Sequence, residues 1–160
     1  MSKAARPART VSGRPRCHVE WSGLEVSVAA RSLAERAVEL ALKRDKLRQR
    51  SLCVLVVDDA ESAKLHDTHF ADATPTDVMS FPDGSPDPSL GLTRLGDLAI
   101  GLDVARRVAA QRGRPIDEEL ALYVLHGTLH LLGYDDIDDS DRDEMWALQR
   151  AVMGDLGVTI

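Results

Sequence analysis

Two histidines and an aspartate in the C-terminal part of the chain have the types and spacing of a zinc site. His126 and His130 stand four residues apart in an apolar stretch, so on a helix both imidazoles point to the same side, one turn apart. Gly133 predicts the end of that helix, and the turn after it can bring Asp136 back over the same face. Imidazole nitrogens and carboxylate oxygens are zinc ligands, and three protein ligands leave a position for water, as in catalytic sites. We therefore predict one zinc ion bound by His126, His130 and Asp136, and the spacing identifies no catalytic residue beyond the water bound to that ion.

The residues alone also allow other interpretations of this stretch. The two histidines can be ordinary side chains, but the helix is apolar almost all round, which predicts burial, and an unsatisfied buried polar group costs about 1–3 kcal/mol. Asp135 competes with Asp136 as third ligand, although aspartate is also common in turns. Zinc peptidases with an HExxH helix carry a glutamate base directly after the first histidine. Gly127 stands there in this chain, which argues against peptide hydrolysis.

Three sequence blocks resemble those of a known family, the bacterial endoribonuclease and ribosomal-RNA maturation factor YbeY. Residues 126–136 (HGTLHLLGYDD) resemble its HGxLHLxGYDH zinc motif. Residues 75–82 (PTDVMSFP) are similar to its PTDVLSFP block, and residues 95–100 (LGDLAI) are similar to its LGDIxI strand. The blocks follow the family's order, and the resemblance covers about residues 17–155.

The resemblance implies a function as well as a fold. It predicts a single metal-hydrolase domain over residues 17–160, with one zinc ion per chain. The implied activity is endoribonuclease cleavage in the cytoplasm, in small-subunit ribosomal RNA maturation and ribosome quality control. The expected partners are ribosomal RNA and the small ribosomal subunit, with no membrane and no DNA. The alternatives are a non-catalytic, zinc-containing ribosome-assembly factor and, with less support, a zinc peptidase.

The chain departs from the family pattern at two positions. Asp136 stands where the family has a third histidine, and the carboxylate keeps the spacing while changing the charge at the metal. Phe70 stands where a pattern like LNxxYR places an arginine suited to phosphate contact. Phosphate binding would then fall to other arginines, most of which can equally be ordinary surface charges: Arg94, Arg106, Arg107, Arg112 and Arg114. Asp97 and Asp135 are candidate general bases only because they lie close to the motifs.

The elements that must position these residues follow from apolar periodicity and from Gly and Pro. We predict strands at residues 17–21, 51–57, 76–81 and 96–101, and helices at about 27–43, 60–70, 103–113 and 115–132. A last helix begins near Ser140, which forms a capping pair with Asp143. We predict that the core side of that helix is formed by Met145, Trp146, Leu148 and Val152. Together these elements predict an α+β domain, in which a small mixed four-stranded sheet is packed with about five helices. The zinc site is predicted on a buried helix.

Composition limits the class of protein. The chain has 160 residues and a net charge of −6, and it contains no apolar run near the roughly 20 residues that span a bilayer. Residues 1–16 are basic, and we predict that they form a flexible tail. Cys17 and Cys53 lack the CxxC spacing of a zinc knuckle, and we predict that both are reduced core residues.

Overall fold

The fold is described by a computed structural model over residues 16–160, and the tail predicted over residues 1–16 lies outside the described residues except for its last member. Arg16 joins the fold. Its carbonyl oxygen accepts a hydrogen bond from the Arg50 N–H at 3.1 Å, and its guanidinium donates to the Leu47 carbonyl oxygen at 2.6 Å. Arg16 therefore belongs to the folded part of the chain.

The described chain forms five strands and five helices in a mixed order. They are β1 (Cys17–Gly23), α1 (Val28–Arg44), β2 (Arg50–Val57), α2 (Asp59–Phe70), β3 (Val78–Pro82), β4 (Pro86–Asp87), β5 (Leu92–Gly101), α3 (Leu102–Arg112), α4 (Ile116–Leu131) and α5 (Asp139–Asp155). The predicted α+β class, with about five helices on a small mixed sheet, is confirmed.

The sheet has the strand order β1-β2-β5-β3, and β4 pairs with β5 at one end. The pairs β1–β2 and β2–β5 are parallel, whereas β3 and β4 run antiparallel to β5. The count of four predicted strands was therefore one short. The missed strand, β4, has only two residues, Pro86 and Asp87, in a loop too short and polar to show alternation.

Strand β5 begins at Leu92, four residues before the predicted start at Gly96. Gly96 lies inside the strand at a φ of +150°, and a Cβ there would lie 2.2 Å from the carbonyl oxygen of Phe81 on β3. The register of β2 against β5 also shifts at this point, between Ser51 and Leu52. The glycine therefore serves a close approach of two strands at a bulge, and it does not mark the strand boundary.

Helix α4 lies between α1 and the strands β3 and β5. Buried alanines follow helical spacing along α1 and let the two helices approach closely: Ala30, Ala34, Ala37 and Ala41. On the other side, Ser80 of β3 donates a hydrogen bond to the carbonyl oxygen of Gly127 at 3.1 Å. The predicted burial of this helix is thus observed, and the residues at its C-terminal end are held against the sheet.

Helix α5 differs from its prediction at its start and on its buried face. Its N-cap is Asp138, whose side chain accepts from the N–H of Asp141 at 2.9 Å, so the predicted Ser140 and Asp143 pair was wrong. Four residues of α5 are buried: Met145, Gln149, Val152 and Met153. Trp146, predicted in the core, is 37% exposed.

Both cysteines are free thiols, but only one is partly buried. Cys17 is half-buried against the core, and burial, with Glu39 and Glu35 nearby, raises the pKa of its thiol to about 12. Cys53 is exposed, so its predicted core position was wrong. The alternation of β2 turns it outward, between the buried Leu52 and Val54.

Across residues 16–160, none of the helices combines the length and the apolar character that crossing a bilayer requires.

Candidate metal centre

The two histidines of α4 face each other one turn apart, as their spacing predicts. Nε2 of His126 lies 3.1 Å from Nε2 of His130, and the ring centroids are 4.7 Å apart. Their side chains are 26% and 28% exposed, so the pair lies at the edge of the buried helix. This position gives the rings both a fixed backbone and access to solvent.

Each ring has an oxygen acceptor at its other nitrogen. Gln149 Oε1 lies 2.9 Å from Nδ1 of His126, and the carbonyl oxygen of Tyr134 lies 3.2 Å from Nδ1 of His130. An acceptor at Nδ1 favours the tautomer with the proton on Nδ1, which leaves a lone pair on each Nε2. Two lone pairs 3.1 Å apart repel each other unless a cation lies between them. The hydrogen bonding of both rings therefore prepares them to ligate a cation.

The turn after α4 brings Asp136 to the histidines. Gly133 adopts a φ of +98°, and the N–H of Tyr134 returns to the carbonyl oxygen of Leu129 at 3.0 Å, which reverses the chain at the helix end. Arg142 of α5 then donates to the carbonyl oxygens of Asp136 at 3.3 Å and Ile137 at 3.2 Å. The third predicted ligand is therefore placed by a glycine turn and by a helix farther along the chain.

The turn is also fixed from α1. The hydroxyl of Tyr134 donates to Asp45 at 2.8 Å, and this hydrogen bond, with partial burial, raises the pKa of Tyr134 to about 12. The carbonyl oxygen of the same residue accepts from His130. One tyrosine thus connects the end of α1 to the orientation of the His130 ring.

The distances among the three side chains suit a small cation. Asp136 Oδ2 lies 3.6 Å from Nε2 of His126, and Asp136 Oδ1 lies 3.7 Å from Nε2 of His130. A tetrahedral zinc ion with ligand distances of about 2.0–2.1 Å separates its ligands by about 3.3–3.4 Å, close to these values. Within residues 16–160, no other group of three His, Cys, Asp or Glu side chains comes together in this way. This cluster could hold a metal ion.

The other two aspartates considered for the site do not join it. The Asp135 carboxylate accepts from the N–H of Asp136 at 2.7 Å, which is a role in the turn. Asp97 lies on β5 beside Leu98, whose side chain faces α4, so strand alternation turns Asp97 to the opposite face of the sheet. There it lines a separate cavity with Cys53 and Glu20. Asp97 is therefore excluded as a general base at this centre.

Gly127 explains why this helix cannot be an HExxH helix. A Cβ at Gly127 would lie 2.7 Å from Leu98 Cδ2 and 2.9 Å from Val78 Cγ2, because the residue faces the sheet at contact distance. A glutamate side chain has no space there. The absence of a peptidase base is thus a consequence of how α4 packs on β3 and β5.

Two cavities share His126 in their lining. The first, the Glu119 cavity, has a volume of about 340 Å³ and is lined by residues that include Arg112, Glu119, Tyr123, Trp146 and Gln149. The second, the Phe70 cleft, has a volume of about 330 Å³ and is lined by residues that include His66, Phe70, Met79, Ser80 and His130. His126 borders both, as do Thr76 and Asp77. The two cavities therefore adjoin at His126 and form one groove beside the candidate metal centre.

Phe70 lines the cleft and is 53% exposed. It lies near two other rings, with centroid distances of 5.7 Å to His66 and 6.3 Å to Phe81. Where the family pattern has an arginine, this chain therefore has an exposed aromatic residue in the same cleft as His126 and His130.

Of the five arginines considered for phosphate contact, only Arg112 borders the groove. Arg106 and Arg107 pair with Asp103 at 3.3 Å and Asp59 at 2.6 Å on the helical surface. Arg94 lies at the cavity on the opposite sheet face, and Arg114 is 16% exposed behind Glu119. The ordinary surface-charge interpretation therefore holds for most of them.

Two residues of the centre were missed from the sequence. Gln149 was not among the residues predicted for the core side of the last helix, and its role shows only when α5 lies against His126. Asp77 belongs to the block at residues 75–82, yet that resemblance assigned it no role. Its Oδ1 accepts from the N–H of Val78 at 2.7 Å, which fixes the carboxylate between the two cavities.

Comparison with known proteins agrees with the three motif blocks. The sequence profile of the family described as endoribonuclease YbeY matches residues 18–157. The chain is 40% identical over 139 residues to the endoribonuclease YbeY of Pseudomonas syringae pv. syringae (strain B728a), covering 84% of each chain. It is 38% identical over 141 residues to that of Pseudomonas putida KT2440, covering 84% of this chain and 90% of the relative.

A solved structure shares the fold. The solution structure of TM1509 from Thermotoga maritima superposes with a TM-score of 0.61 at 23% sequence identity, covering 87% of this chain and 91% of the other. At that identity the likeness concerns architecture alone. The profile match and the relatives near 40% identity confirm the predicted family, and the chain belongs to the endoribonuclease YbeY family.

Proposed function

We propose that this protein is a zinc-dependent endoribonuclease that acts in the cytoplasm on ribosomal RNA of the small subunit, in its maturation and in ribosome quality control. The observation that carries the proposal is the convergence of His126, His130 and Asp136, whose ligand atoms lie within 4.8 Å of one another. Membership of the YbeY family supports an RNA substrate, and the motif resemblance supports the ribosomal context.

Zinc suits the donor set. Two imidazoles and one carboxylate are the ligands of a known class of catalytic zinc sites, and the three side chains keep one side open to solvent. A bound zinc ion would supply Lewis-acid chemistry at the scissile phosphate. Gln149 and Tyr134 orient the two rings through their Nδ1 atoms, and such partners raise metal affinity in comparable sites.

The groove suits an RNA strand with unpaired bases. The exposed ring of Phe70 offers a stacking surface beside the histidines, and aromatic stacking is the usual way in which proteins hold single-stranded bases. Stacking would replace part of the binding that the absent arginine gives in the family pattern. Arg112 remains at the groove as a phosphate contact.

We assign proton transfer to Asp77, in place of Asp97 and Asp135. It is the carboxylate that borders both cavities beside His126, and its contact with the Val78 N–H holds it in the groove. Asp77→Asn is expected to lower RNA cleavage by about 10²–10⁴-fold while zinc content stays at wild-type level. A variant that cleaves at the wild-type rate would remove this assignment.

The proposed activity is tested by measuring metal content and RNA cleavage on the same samples. Wild type, His130→Ala and the matched control Asp135→Asn are assayed for zinc per chain and for cleavage of a small-subunit ribosomal-RNA precursor, with and without chelator. We expect one zinc per chain and cleavage for wild type and control, and loss of both in His130→Ala. Full cleavage by zinc-free protein would contradict zinc dependence. A zinc-loaded wild type without cleavage would favour the non-catalytic assembly factor.

A further inference from the structure

Positive charge is concentrated at the end of α1 and in the connection from α1 to β2. Residues 43–50 (KRDKLRQR) carry five cations and one acid, although the whole chain has a net charge of −6. Arg16 lies beside this connection, because its carbonyl oxygen accepts from the Arg50 N–H at 3.1 Å. We call this surface the basic edge, and it is formed by Arg16, Arg36, Lys43, Arg44, Lys46, Arg48 and Arg50.

Three cations of the basic edge converge on one cavity. Arg16, Arg36 and Lys43 line a cavity of about 400 Å³ between α1, the start of β1 and the end of α5. Two acids also line it, Glu39 and Asp155, but the Asp155 carboxylate is already paired at 3.1 Å with a fourth cation of the basic edge. The cavity therefore has a surplus of positive charge.

The cations of the connection are exposed and lack acidic partners. Lys43, Lys46 and Arg48 are exposed, and no ion pair joins any of them to an acid within residues 16–160. Arg106 on α3, by contrast, is paired with Asp103 at 3.3 Å. Neighbouring like charges repel each other and destabilise the folded state unless an anion compensates them. The basic edge is therefore suited to bind an external anion.

The connection presents its cations on an ordered backbone. Lys46 and Gln49 have φ angles of +58° and +56°, a left-handed conformation that residues with a Cβ rarely adopt. The Leu47 carbonyl oxygen accepts from the Arg16 guanidinium at 2.6 Å, and the Gln49 carbonyl oxygen accepts from the Thr93 N–H at 3.0 Å. Because the backbone is already ordered, less conformational entropy is lost when an anion binds.

The basic edge adjoins the turn that carries the third predicted ligand. Asp45 is the only acid in residues 43–50, and its carboxylate accepts from the Tyr134 hydroxyl at 2.8 Å. Tyr134 stands two residues before Asp136 in the turn after α4. A polyanion bound at the metal centre can therefore contact the connection as well.

We propose that the basic edge binds the phosphate backbone of the RNA next to the metal centre. Contacts to phosphate supply most of the sequence-independent affinity of proteins for nucleic acids, and they require cations. Among the arginines considered for phosphate contact, only Arg112 borders the groove. Five of the seven cations of the basic edge are arginines, whose planar guanidinium suits phosphate oxygens. The basic edge thus adds affinity that the groove alone does not supply.

RNA fits the basic edge better than an anionic membrane does. Stable membrane binding by a surface of this kind combines cations with apolar side chains that enter the bilayer. Within residues 16–160, none of the exposed large apolar side chains belongs to the basic edge. A polyanion that needs only charge is therefore the better partner.

This inference rests on the proposed RNA substrate, and its test measures binding separately from cleavage. Zinc-loaded full-length protein is titrated into a fluorescein-labelled single-stranded phosphorothioate RNA, which resists hydrolysis, at about 50 to 200 mM KCl. Anisotropy gives the affinity at each salt concentration. Lys46→Gln/Arg48→Gln is expected to lower the affinity about tenfold at the lowest salt. The slope of log K against log[salt] should fall by about 1.4, since each contact to a single strand contributes about 0.7.

A matched control separates the basic edge from net charge. Lys64→Gln/Arg106→Gln removes the same charge from two exposed positions, on α2 and α3, outside the basic edge. We expect its affinity and salt slope to stay within about twofold of wild type. Lys43→Gln, on α1 rather than in the left-handed turn, should lower the slope by about 0.7 and keeps the test decisive if the first variant fails to fold.

Three results would overturn the basic edge as an RNA-binding surface. They are equal losses in the two double variants, an unchanged salt slope in Lys46→Gln/Arg48→Gln, and no RNA binding by wild type. The variants are also mixed with phosphatidylcholine vesicles with and without phosphatidylserine. Loss of vesicle binding in Lys46→Gln/Arg48→Gln with RNA affinity unchanged would assign the surface to a membrane instead.

The outcome for the basic edge is distinguishable from the outcome for the proposed function. Cleavage of ribosomal RNA by wild type, together with an unchanged salt slope in Lys46→Gln/Arg48→Gln, would leave the proposed function intact and remove only the surface. RNA binding that depends on the basic edge, in a protein that cleaves no RNA, would do the reverse.

Discussion

Helices α4 and α5 both border the metal centre, but they contribute to it in different ways. Ten of the sixteen residues of α4 are buried, against four of the seventeen in α5. The enclosed helix carries the two histidines that are predicted to bind the metal, His126 and His130. The surface helix supplies Gln149, which holds one ring, and Arg142, which holds the backbone of Asp136. The difference teaches that the enclosed helix sets the histidine pair, whereas the orientation of His126 and the position of Asp136 depend on the surface helix.

The largest expected effect is on zinc affinity, and it distinguishes Asp136 from Asp135 in the connection between these helices. Asp136→Ala is expected to weaken zinc binding by more than about 100-fold, beyond the range of about 10–100-fold seen when a residue that only supports a ligand is lost. Asp135→Ala, next to it in the same turn, keeps the affinity within a few-fold of wild type. Competition with a chromogenic chelator measures both. Equal losses would mean that the turn matters and the carboxylate does not.

One glycine in each helix sharpens the contrast in packing. Gly127→Ala is expected to lower the free energy of unfolding by about 1–3 kcal/mol, because the new methyl would collide with Leu98 and Val78 of the sheet. Gly154→Ala in α5 has open space around it and is expected to raise stability by about 0.5–1 kcal/mol. Urea unfolding measures both variants, and the change in the free energy of unfolding should have opposite signs in the two. Stabilisation by Gly127→Ala would contradict the close packing of α4 on the sheet.

The contribution of α5 to the centre is tested at Gln149. Gln149→Leu keeps the size of the side chain but removes the acceptor at Nδ1 of His126, so zinc affinity is expected to fall by about tenfold. Gln111→Leu, at an exposed position on α3, is the control and leaves the affinity unchanged. If both variants bind zinc like wild type, α5 only covers the site.

The smallest expected effect concerns the tether between α1 and the turn after α4. The bond to Asp45 raises the pKa of Tyr134 from 10 to about 12, so its contribution to stability is present below pH 10 and is lost as the pH rises towards 12. Tyr134→Phe is expected to be less stable at pH 8 by less than about 1 kcal/mol. The difference from wild type then shrinks between pH 10 and 12. Urea unfolding at pH 8, 10 and 11.5 measures it, and a difference that does not change with pH would contradict this role.

The contrast between the helices also shows what sequence can predict. The geometry of His126 and His130 depends on spacing within one helix, and that of Asp136 on one glycine turn, so both could be anticipated. The convergence of the three side chains agrees with the predicted ligand set, while metal binding itself stays a prediction. The family followed from the motif blocks alone.

What could not be predicted depends on contacts distant in sequence. Apolarity placed Trp146 in the core, whereas the structure buries Gln149, because its partner His126 lies on another helix. Strand β4 and the early start of β5 depend on pairing partners rather than on any pattern in their own residues. Polar residues buried at a site are thus the hardest for hydropathy to find, and they are the ones that build the Glu119 cavity.

The contacts of Arg142 have a consequence for how the protein responds to heat. The third predicted ligand, the acceptor for His126 and the aromatic rim of the Glu119 cavity all lie on α5 or on the connection that Arg142 ties to it. Local opening of this surface helix, which has few buried residues, would remove all three at once while α4 stays folded. Loss of metal on warming is therefore expected as a separate, earlier transition, and saturating zinc should protect α5 from proteolysis.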